Sequence, residues 1–212
     1  MPSSLSPDED EERSPAGEFD WRAVTAERLE SGACVLYWAC FRFYSYIKSR
    51  SVMQTPANPE FLRRAIRLAT QNVVTGAGGP FGAVIVRGGR IVAEGVNTVT
   101  ATLDPTAHAE VHAIRAAAQA LGSFTLTDCQ LYTSCEPCPM CLAAAYWARI
   151  EAIYYGASSA DAARAGFDDV FIYEELRRAS AERKFLPATQ LLGEEAWASF
   201  AAWIASASKV AY

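Results

Sequence analysis

Two short segments of the sequence carry side chains that bind metals and move protons. The first holds His108 and Glu110, and the second holds Cys138 and Cys141 in a Pro-Cys-x-x-Cys arrangement. A Cys-x-x-Cys pair at a helix start brings two sulfurs within reach of one ion, and the positive end of the helix lowers their thiol pKa values. One imidazole and two thiolates are common zinc ligands. The spacing therefore predicts a Zn²⁺ site held by His108, Cys138 and Cys141.

Glu110 stands two residues beyond the histidine, where it cannot comfortably bind the same ion from the same helix face. Three protein ligands leave the fourth position of tetrahedral zinc open to water, whose pKa zinc lowers to about 7. The predicted role of Glu110 is to carry a proton from that water to a substrate. Both segments together match the His-x-Glu and Pro-Cys-x-x-Cys signature of zinc deaminases. The predicted chemistry is hydrolytic removal of an amino group.

The same part of the sequence fits two other metal sites. His112 lies four residues after His108, on the same helix face, and would close the coordination shell of a structural zinc. Cys135, three residues before Cys138, would instead give a cluster of three cysteines. A closed site would make the protein a zinc-stabilised binding module without turnover. Release of ammonia separates that module from every enzyme.

The elements that must position these residues alternate from residue 58 onward. Asn58 caps a helix with Pro59 at its first position, and Gly88-Gly89 joins two strands as a hairpin turn. A hairpin followed by alternating helices and strands predicts an α/β fold, a three-layer α/β/α sandwich with a mixed central sheet. The predicted helices are 59–74, 107–121, 138–149, 159–165, 171–183 and 194–207, and the predicted strands are 81–87, 90–99, 129–133 and 152–156.

The first 52 residues differ in character from the rest. They begin with an acidic, Ser/Pro-rich stretch that is predicted to be disordered, followed by an aromatic-dense run over 32–47 without helical or strand periodicity. That run is either a surface that binds a membrane or a partner, or an extension that is not native, with the natural start at Met53. We expect residues 1–52 to be an N-terminal extension and residues 53–212 to be the deaminase domain.

Charge and cysteine placement restrict the partners and the compartment. Nine acidic and six basic side chains precede Met53, and 15 acidic and 13 basic ones follow. Neither part offers the basic surface that nucleic acid requires, so no nucleic-acid partner is expected. Four of the six cysteines lie between Cys129 and Cys141, which indicates a metal site in a reducing compartment. The sequence has no secretory signal, and its apolar run over 33–41 is too short to span a bilayer; we expect a cytoplasmic protein without a membrane partner.

Beyond these motifs, the chain resembles the cytidine-deaminase-like superfamily and, within it, the bacterial guanine deaminases. None of residues 1–52 takes part in the resemblance, and His112 departs from it, since a small or apolar residue is expected there. The segments that carry it are GGPFGAVIV (78–86), DPTAHAEV (104–111), LYTSCEPCPMC (131–141), YWAR (146–149), AGFDD (165–169) and the terminal Tyr212.

The resemblance implies a substrate and residue roles that the spacing alone leaves open. It implies hydrolysis of guanine to xanthine and ammonia by zinc-activated water, with Glu110 as the proton shuttle. From the residues alone, Phe81 fits core packing as well as ring stacking, and Asn97 fits a turn as well as a base contact. The implied substrate contacts are stacking by Phe81, ring-edge contacts from Asn97 and the Ala109 amide, guanine recognition by Asp169 and Tyr212, and a pocket wall formed by Trp147.

The resemblance also implies a homodimer in which the C-terminal segment swaps onto the partner and helps to close its site. A deaminase of guanosine or another nucleoside is a close alternative, because one pocket wall decides whether ribose fits. A tRNA adenosine deaminase shares both zinc motifs, but its substrate calls for a basic surface. Ser134-Cys135 and the Gly-Phe-Asp-Asp segment also favour the guanine type.

Overall fold

The computed structural model describes residues 56–167 and 169–212. The expectations for residues 1–52, including the domain boundary at residue 53, lie outside these ranges. In the described part, no helix combines the length and the apolar character needed to cross a membrane. The elements in chain order are α1 (Pro59–Val74), β1 (Gly82–Arg87), β2 (Arg90–Val96), α2 (Val99–Thr102), α3 (Ala109–Leu121), β3 (Cys129–Cys135), α4 (Pro139–Trp147), β4 (Ala152–Ala157), α5 (Ser159–Arg164), α6 (Val170–Arg177), a 3₁₀ turn (Ser180–Glu182) and α7 (Gly193–Ala205).

The four strands form one mixed sheet, as the sequence predicts, and their order in it is β2-β1-β3-β4. β1 pairs antiparallel with both β2 and β3, whereas β3 and β4 run parallel. The hairpin between β1 and β2 turns through Gly88 and Gly89, which adopt φ values of 55° and 73°. Such left-handed angles at both central positions favour glycine, so the two-residue turn follows directly from the local sequence.

Helices cover both faces of this sheet, which confirms the three-layer α/β/α architecture. Side chains alternate between faces along each strand. Val84, Val86 and Tyr132 pack under α1, against Phe61, Leu62 and Leu68. The opposite face packs against α3 and α4 through a second cluster that includes Ala83, Ile85, Leu131, Ala109, Ala113 and Ala145.

Two glycines let the helices lie close against the sheet. A Cβ atom at Gly82 would come within 2.4 Å of the Ala65 carbonyl oxygen in α1. One at Gly95 would come within 2.2 Å of the Ala109 carbonyl oxygen, at the start of α3. Only a residue without a side chain fits at such distances. Gly95 therefore determines how closely the first turn of α3, which carries Glu110, lies against the sheet.

Local capping explains where α1 begins. Its N-cap is Asn58, whose side chain accepts a hydrogen bond from the Glu60 amide at 3.0 Å, and Pro59 follows at the first helical position. This start and the end at Val74 confirm the predicted helix.

Other element bounds differ from the sequence prediction. The strand predicted over 90–99 ends at Val96, because Asn97 and Thr98 turn the chain toward α3: the Asn97 amide donates to the Phe81 carbonyl and the Thr98 amide to that of Ala107. The β-branched residues that follow form the single helical turn α2. β3 extends two residues beyond its predicted end because Cys135 still pairs with Ala157 of β4.

The C-terminal part exposes much apolar surface. The helix predicted over 171–183 ends at Arg177, where Arg178 turns to an extended conformation, and a 3₁₀ turn follows. Every residue of α7 is exposed, including Trp197, Phe200 and Trp203. Within the described residues, α7 therefore buries none of its aromatic side chains.

Candidate metal centre and active site

The helices α3 and α4 bring His108, Cys138 and Cys141 together. His108 is the N-cap residue of α3 and Cys138 that of α4, so each lies one residue before its helix and not inside it as predicted. The His108 Nδ1 atom lies 3.6 Å from the Cys138 sulfur and 3.5 Å from the Cys141 sulfur. All three ligand atoms lie within 4.8 Å of one another. One imidazole nitrogen and two buried free thiols suit Zn²⁺, so the residues present fit this ion.

The electrostatics of the two thiols also suit a cation. A hydrogen bond between the sulfurs lowers the pKa of Cys138 to about 4, against the opposing effect of burial, and His108 lowers it further. Cys141 keeps the shared proton, and its pKa is raised by this hydrogen bond and by burial. The Cys138 thiolate in turn raises the pKa of His108. When thiolates bind a divalent cation, the cation displaces the proton that the two sulfurs share. The electrostatics of these residues therefore favour metal binding.

Glu110 lies beside this group and outside it. Its side chain is only 4% exposed, and burial raises the pKa of its carboxyl group. The Oε1 atom accepts a hydrogen bond from the Thr133 hydroxyl at 2.8 Å, while Oε2 lies 3.4 Å from the Cys141 sulfur. A buried carboxylate of raised pKa next to a metal centre is suited to acid–base chemistry.

A cavity of about 480 Å³ opens in front of these groups. It brings together residues from six separate parts of the chain. The residues predicted from sequence that line it are Phe81, Asn97, His108, Glu110, Cys138 and Asp169.

Aromatic and amide groups form the wall of the cavity opposite the ligands. The Phe81 ring meets the Phe167 ring edge to face, with centroids 4.9 Å apart. Asn97 is buried, and its Oδ1 accepts a hydrogen bond from the Val99 amide at 3.3 Å. Phe81 and Phe167 thus add aromatic surface to the cavity wall, and the side-chain nitrogen of Asn97 is a hydrogen-bond donor there.

The structure adds two supporting residues that sequence reasoning missed. Asn72, near the end of α1, is buried and donates from Nδ2 to the carbonyls of Gly79 and Asn97, both at 2.8 Å. Tyr173 of α6 donates from its hydroxyl to the Pro137 carbonyl at 2.7 Å, just before the first metal-binding cysteine. No local pattern marks either residue, because each acts on a segment at least seven positions away.

Three residues with an implied substrate role do not line this cavity. Ala109 is fully buried in the first turn of α3. Trp147 is 62% exposed at the far end of α4, and its ring lies 5.9 Å from that of Tyr212. The structure thus places Trp147 and Tyr212 together, away from the cavity of their own chain.

The two other candidate ligands also lie outside the metal group. His112 lines a separate groove together with Glu94 and Arg115. The Cys135 thiol lines the cavity and donates a hydrogen bond to the Ser158 carbonyl at 3.7 Å. Within the described residues the ligand group thus contains three protein ligands, which leaves a fourth position open.

Comparison with known proteins agrees with this geometry. Residues 56–157 match the family model described as the cytidine and deoxycytidylate deaminase zinc-binding region. The chain is 56% identical over 152 residues to the guanine deaminase of Bacillus subtilis, which covers 72% of this chain and 97% of that protein. The X-ray structure of the Bacillus subtilis enzyme matches with a TM-score of 0.71 and 54% identity, over 74% of this chain and 99% of that one.

More distant relatives share less of the chain. The structure of a guanine deaminase from Nitrosomonas europaea matches with a TM-score of 0.51 and 31% identity, over 55% of this chain and 68% of that one. A tRNA-specific adenosine deaminase of Agrobacterium fabrum is 49% identical over 78 residues, which is 37% of this chain and 51% of that protein. The metal centre, the neighbouring glutamate and this similarity over nearly the whole of a relative together lead to one conclusion: the chain belongs to the family of zinc-dependent cytidine-deaminase-like hydrolases.

Proposed function

We propose that this protein catalyses the hydrolytic deamination of guanine to xanthine and ammonia. The observation that carries the proposal is one cavity lined by His108, Cys138, the buried Glu110 and aromatic rings, with the third candidate ligand, Cys141, buried within 4.8 Å of the other two. The Bacillus subtilis relative, which matches over 97% of its own length, is a guanine deaminase, whereas the tRNA-specific adenosine deaminase of Agrobacterium fabrum matches over 51% of its own length.

The proposed reaction needs a group that activates water and a group that transfers protons. A zinc ion bound there acts as a Lewis acid that makes water nucleophilic at neutral pH. Glu110 accepts one proton of the attacking water at Oε2 and passes it to a ring nitrogen. It then takes the second proton from the hydroxyl group added to the ring carbon and passes it to the departing amine, which leaves as ammonia. Its burial excludes bulk water and raises its pKa, so that the carboxylate is a stronger base than an exposed one.

Recognition of guanine requires acceptors for the ring N–H groups, since an unpaired buried polar group is strongly penalised. The half-buried carboxyl group of Asp169 lines the cavity and is suited to this task. Phe81 stacks on the purine, and Asn97 donates to its edge. The Ala109 amide belongs to the first turn of α3, where no helical acceptor exists, and it serves as another donor.

The proposal includes a homodimer in which the C-terminal segment of one chain closes the site of the other. The exposed aromatic residues of α7 support it, because a monomer rarely leaves so much apolar surface in water. Trp147 and Tyr212 support it too, since both lie outside the cavity of their own chain with exposed rings. In the dimer they complete the partner's pocket.

The proposal also covers partners and compartment. A net charge of −5 argues against binding to a nucleic-acid polyanion, so the substrate is a small molecule. Cys138 and Cys141, two of the four free cysteines between Cys129 and Cys141, must stay reduced to bind a metal, which favours the cytoplasm.

One assay tests the function. The zinc-loaded protein is incubated with guanine, guanosine, adenine or cytosine, and released ammonia is measured against protein stripped of zinc by a chelator. We expect guanine to give the highest kcat/KM and the stripped protein to be inactive. Higher kcat/KM with guanosine or adenine would reassign the substrate, and no ammonia from any of the four would leave a binding module.

A further inference from the structure

Thr133, on the central strand β3, contacts the carboxyl group of Glu110. It lies in β3, where it pairs with Ala83 of β1 on one side and Tyr155 of β4 on the other. Its side chain is fully buried, and its hydroxyl donates to Glu110 Oε1 at 2.8 Å. A β-branched side chain on a central strand has a restricted χ1 angle, so the sheet fixes the position of this hydroxyl.

The two oxygens of Glu110 consequently have different surroundings. Oε1 accepts a hydrogen bond from the Thr133 hydroxyl at 2.8 Å, while Oε2 accepts a longer hydrogen bond of 3.4 Å from the Cys141 thiol. A cysteine that binds a metal as a thiolate no longer donates, so the Thr133 hydroxyl is then the remaining one of these two donors. The terminal torsion of a glutamate is intrinsically broad, so the backbone of α3 alone does not select one orientation of the carboxylate. A contact to one oxygen does select it.

We propose that Thr133 is a positioning residue, which holds Glu110 by Oε1 so that Oε2 is the oxygen that exchanges protons with substrate. Proton transfer needs heavy atoms within about 2.6–3.2 Å of each other, and a misplacement of ~1 Å in an active site lowers rates by as much as ~100-fold. The proposal concerns the shared deaminase step, and only its kinetic test rests on guanine as the substrate.

A neighbouring hydroxyl provides the matched control. Ser134 is also buried in β3, but its side chain faces α1 and its Oγ accepts a hydrogen bond from the Gly82 amide at 3.1 Å. Both side chains are buried hydroxyls with one partner on a neighbouring segment. They differ in whether that partner is Glu110.

The test compares Thr133→Val, Thr133→Ser and Ser134→Ala with the wild type. In Thr133→Val, which keeps the shape and removes the hydroxyl, kcat for guanine should fall ~10–100-fold while KM stays within about twofold. Zinc content should not change. Thr133→Ser restores the donor and should recover most of kcat. Ser134→Ala should lower the thermal midpoint and leave kcat near wild type.

Three results would overturn the proposal: wild-type kcat in Thr133→Val, a kcat in Thr133→Ser as low as that in Thr133→Val, or a loss of kcat in Ser134→Ala as large as that in Thr133→Val. If Thr133→Val does not fold, Thr133→Ala takes its place and should have a lower kcat than Thr133→Ser.

A crystal structure of the zinc-bound Thr133→Val or Thr133→Ala variant gives a readout without substrate. We expect a reoriented or multiply oriented Glu110 carboxylate, and an unchanged one would contradict the proposal. If the wild type does not act on guanine, the proposed function fails, while the crystal structure still decides the role of Thr133.

Discussion

At the scale of single residues, the carboxyl group of Glu110 is the proposed acid–base group of the site. Glu110→Gln keeps the shape of the side chain and an acceptor for the Thr133 hydroxyl, so fold and zinc content should stay near wild type. The amide cannot carry a proton, and turnover should fall by at least ~100-fold. Ammonia release measures the turnover, and metal analysis measures the zinc content. Near-normal turnover in this variant would remove the proposed mechanism.

The ligand group allows a comparison of two histidines on one helix. His108→Ala, Cys138→Ala and Cys141→Ala should each lose zinc and activity, because each removes one of three donors. His112→Ala should keep both, since His112 lines a separate groove. Metal analysis after dialysis, together with ammonia release, measures the outcome. Loss of zinc from His112→Ala would indicate a closed structural site.

At the scale of elements, Asn72 connects the end of α1 to two segments of the cavity wall. Asn72→Ala leaves two carbonyls without this donor and should lower the free energy of unfolding by ~1–3 kcal/mol. Because the Gly79 and Asn97 segments then lose their common anchor, KM for guanine should rise more than kcat falls. Denaturant unfolding and steady-state kinetics measure these effects.

Gln71→Ala is the control, since it is the exposed neighbour of Asn72 on the same helix and should change the free energy of unfolding by less than ~0.5 kcal/mol. Equal effects of the two substitutions would mean that Asn72 contributes only to helix stability. A stability loss without any change in KM would show that the anchor does not reach the substrate.

At the scale of the whole molecule, the proposed exchange of C-terminal segments can be tested by complementation. Glu110→Gln chains and chains lacking residues 210–212 should each be nearly inactive. Mixed after denaturation and refolding, they form heterodimers. If the tail closes the partner's site, one of the two sites has Glu110 from the truncated chain and a tail from the Gln chain, and activity returns. Each variant refolded alone is the control, and confirmed heterodimers without activity would show that every chain closes its own site.

Local patterns in the sequence were sufficient to predict the start of α1, the hairpin turn, the candidate metal ligands and the layered fold. Asn58-Pro59 and Gly88-Gly89 act on their own backbone, so the start of α1 and the hairpin turn could be predicted. The metal ligands could be predicted because metal chemistry restricts residue types and because each motif lies at a helix start. The alternation of elements was enough to predict a mixed sheet between two helical layers, as observed.

Contacts between distant segments were decided only by the tertiary structure. Thr133 reaches Glu110 across 23 residues and Asn72 reaches Asn97 across 25, and no periodicity relates such pairs. The strand predicted through residue 99 was wrong for the same reason: its β-branched composition favours a strand, but the chain must turn there to meet α3. Local sequence determines which chemical groups and elements are available, and packing determines which of them touch, because burial rewards contacts irrespective of their separation along the chain.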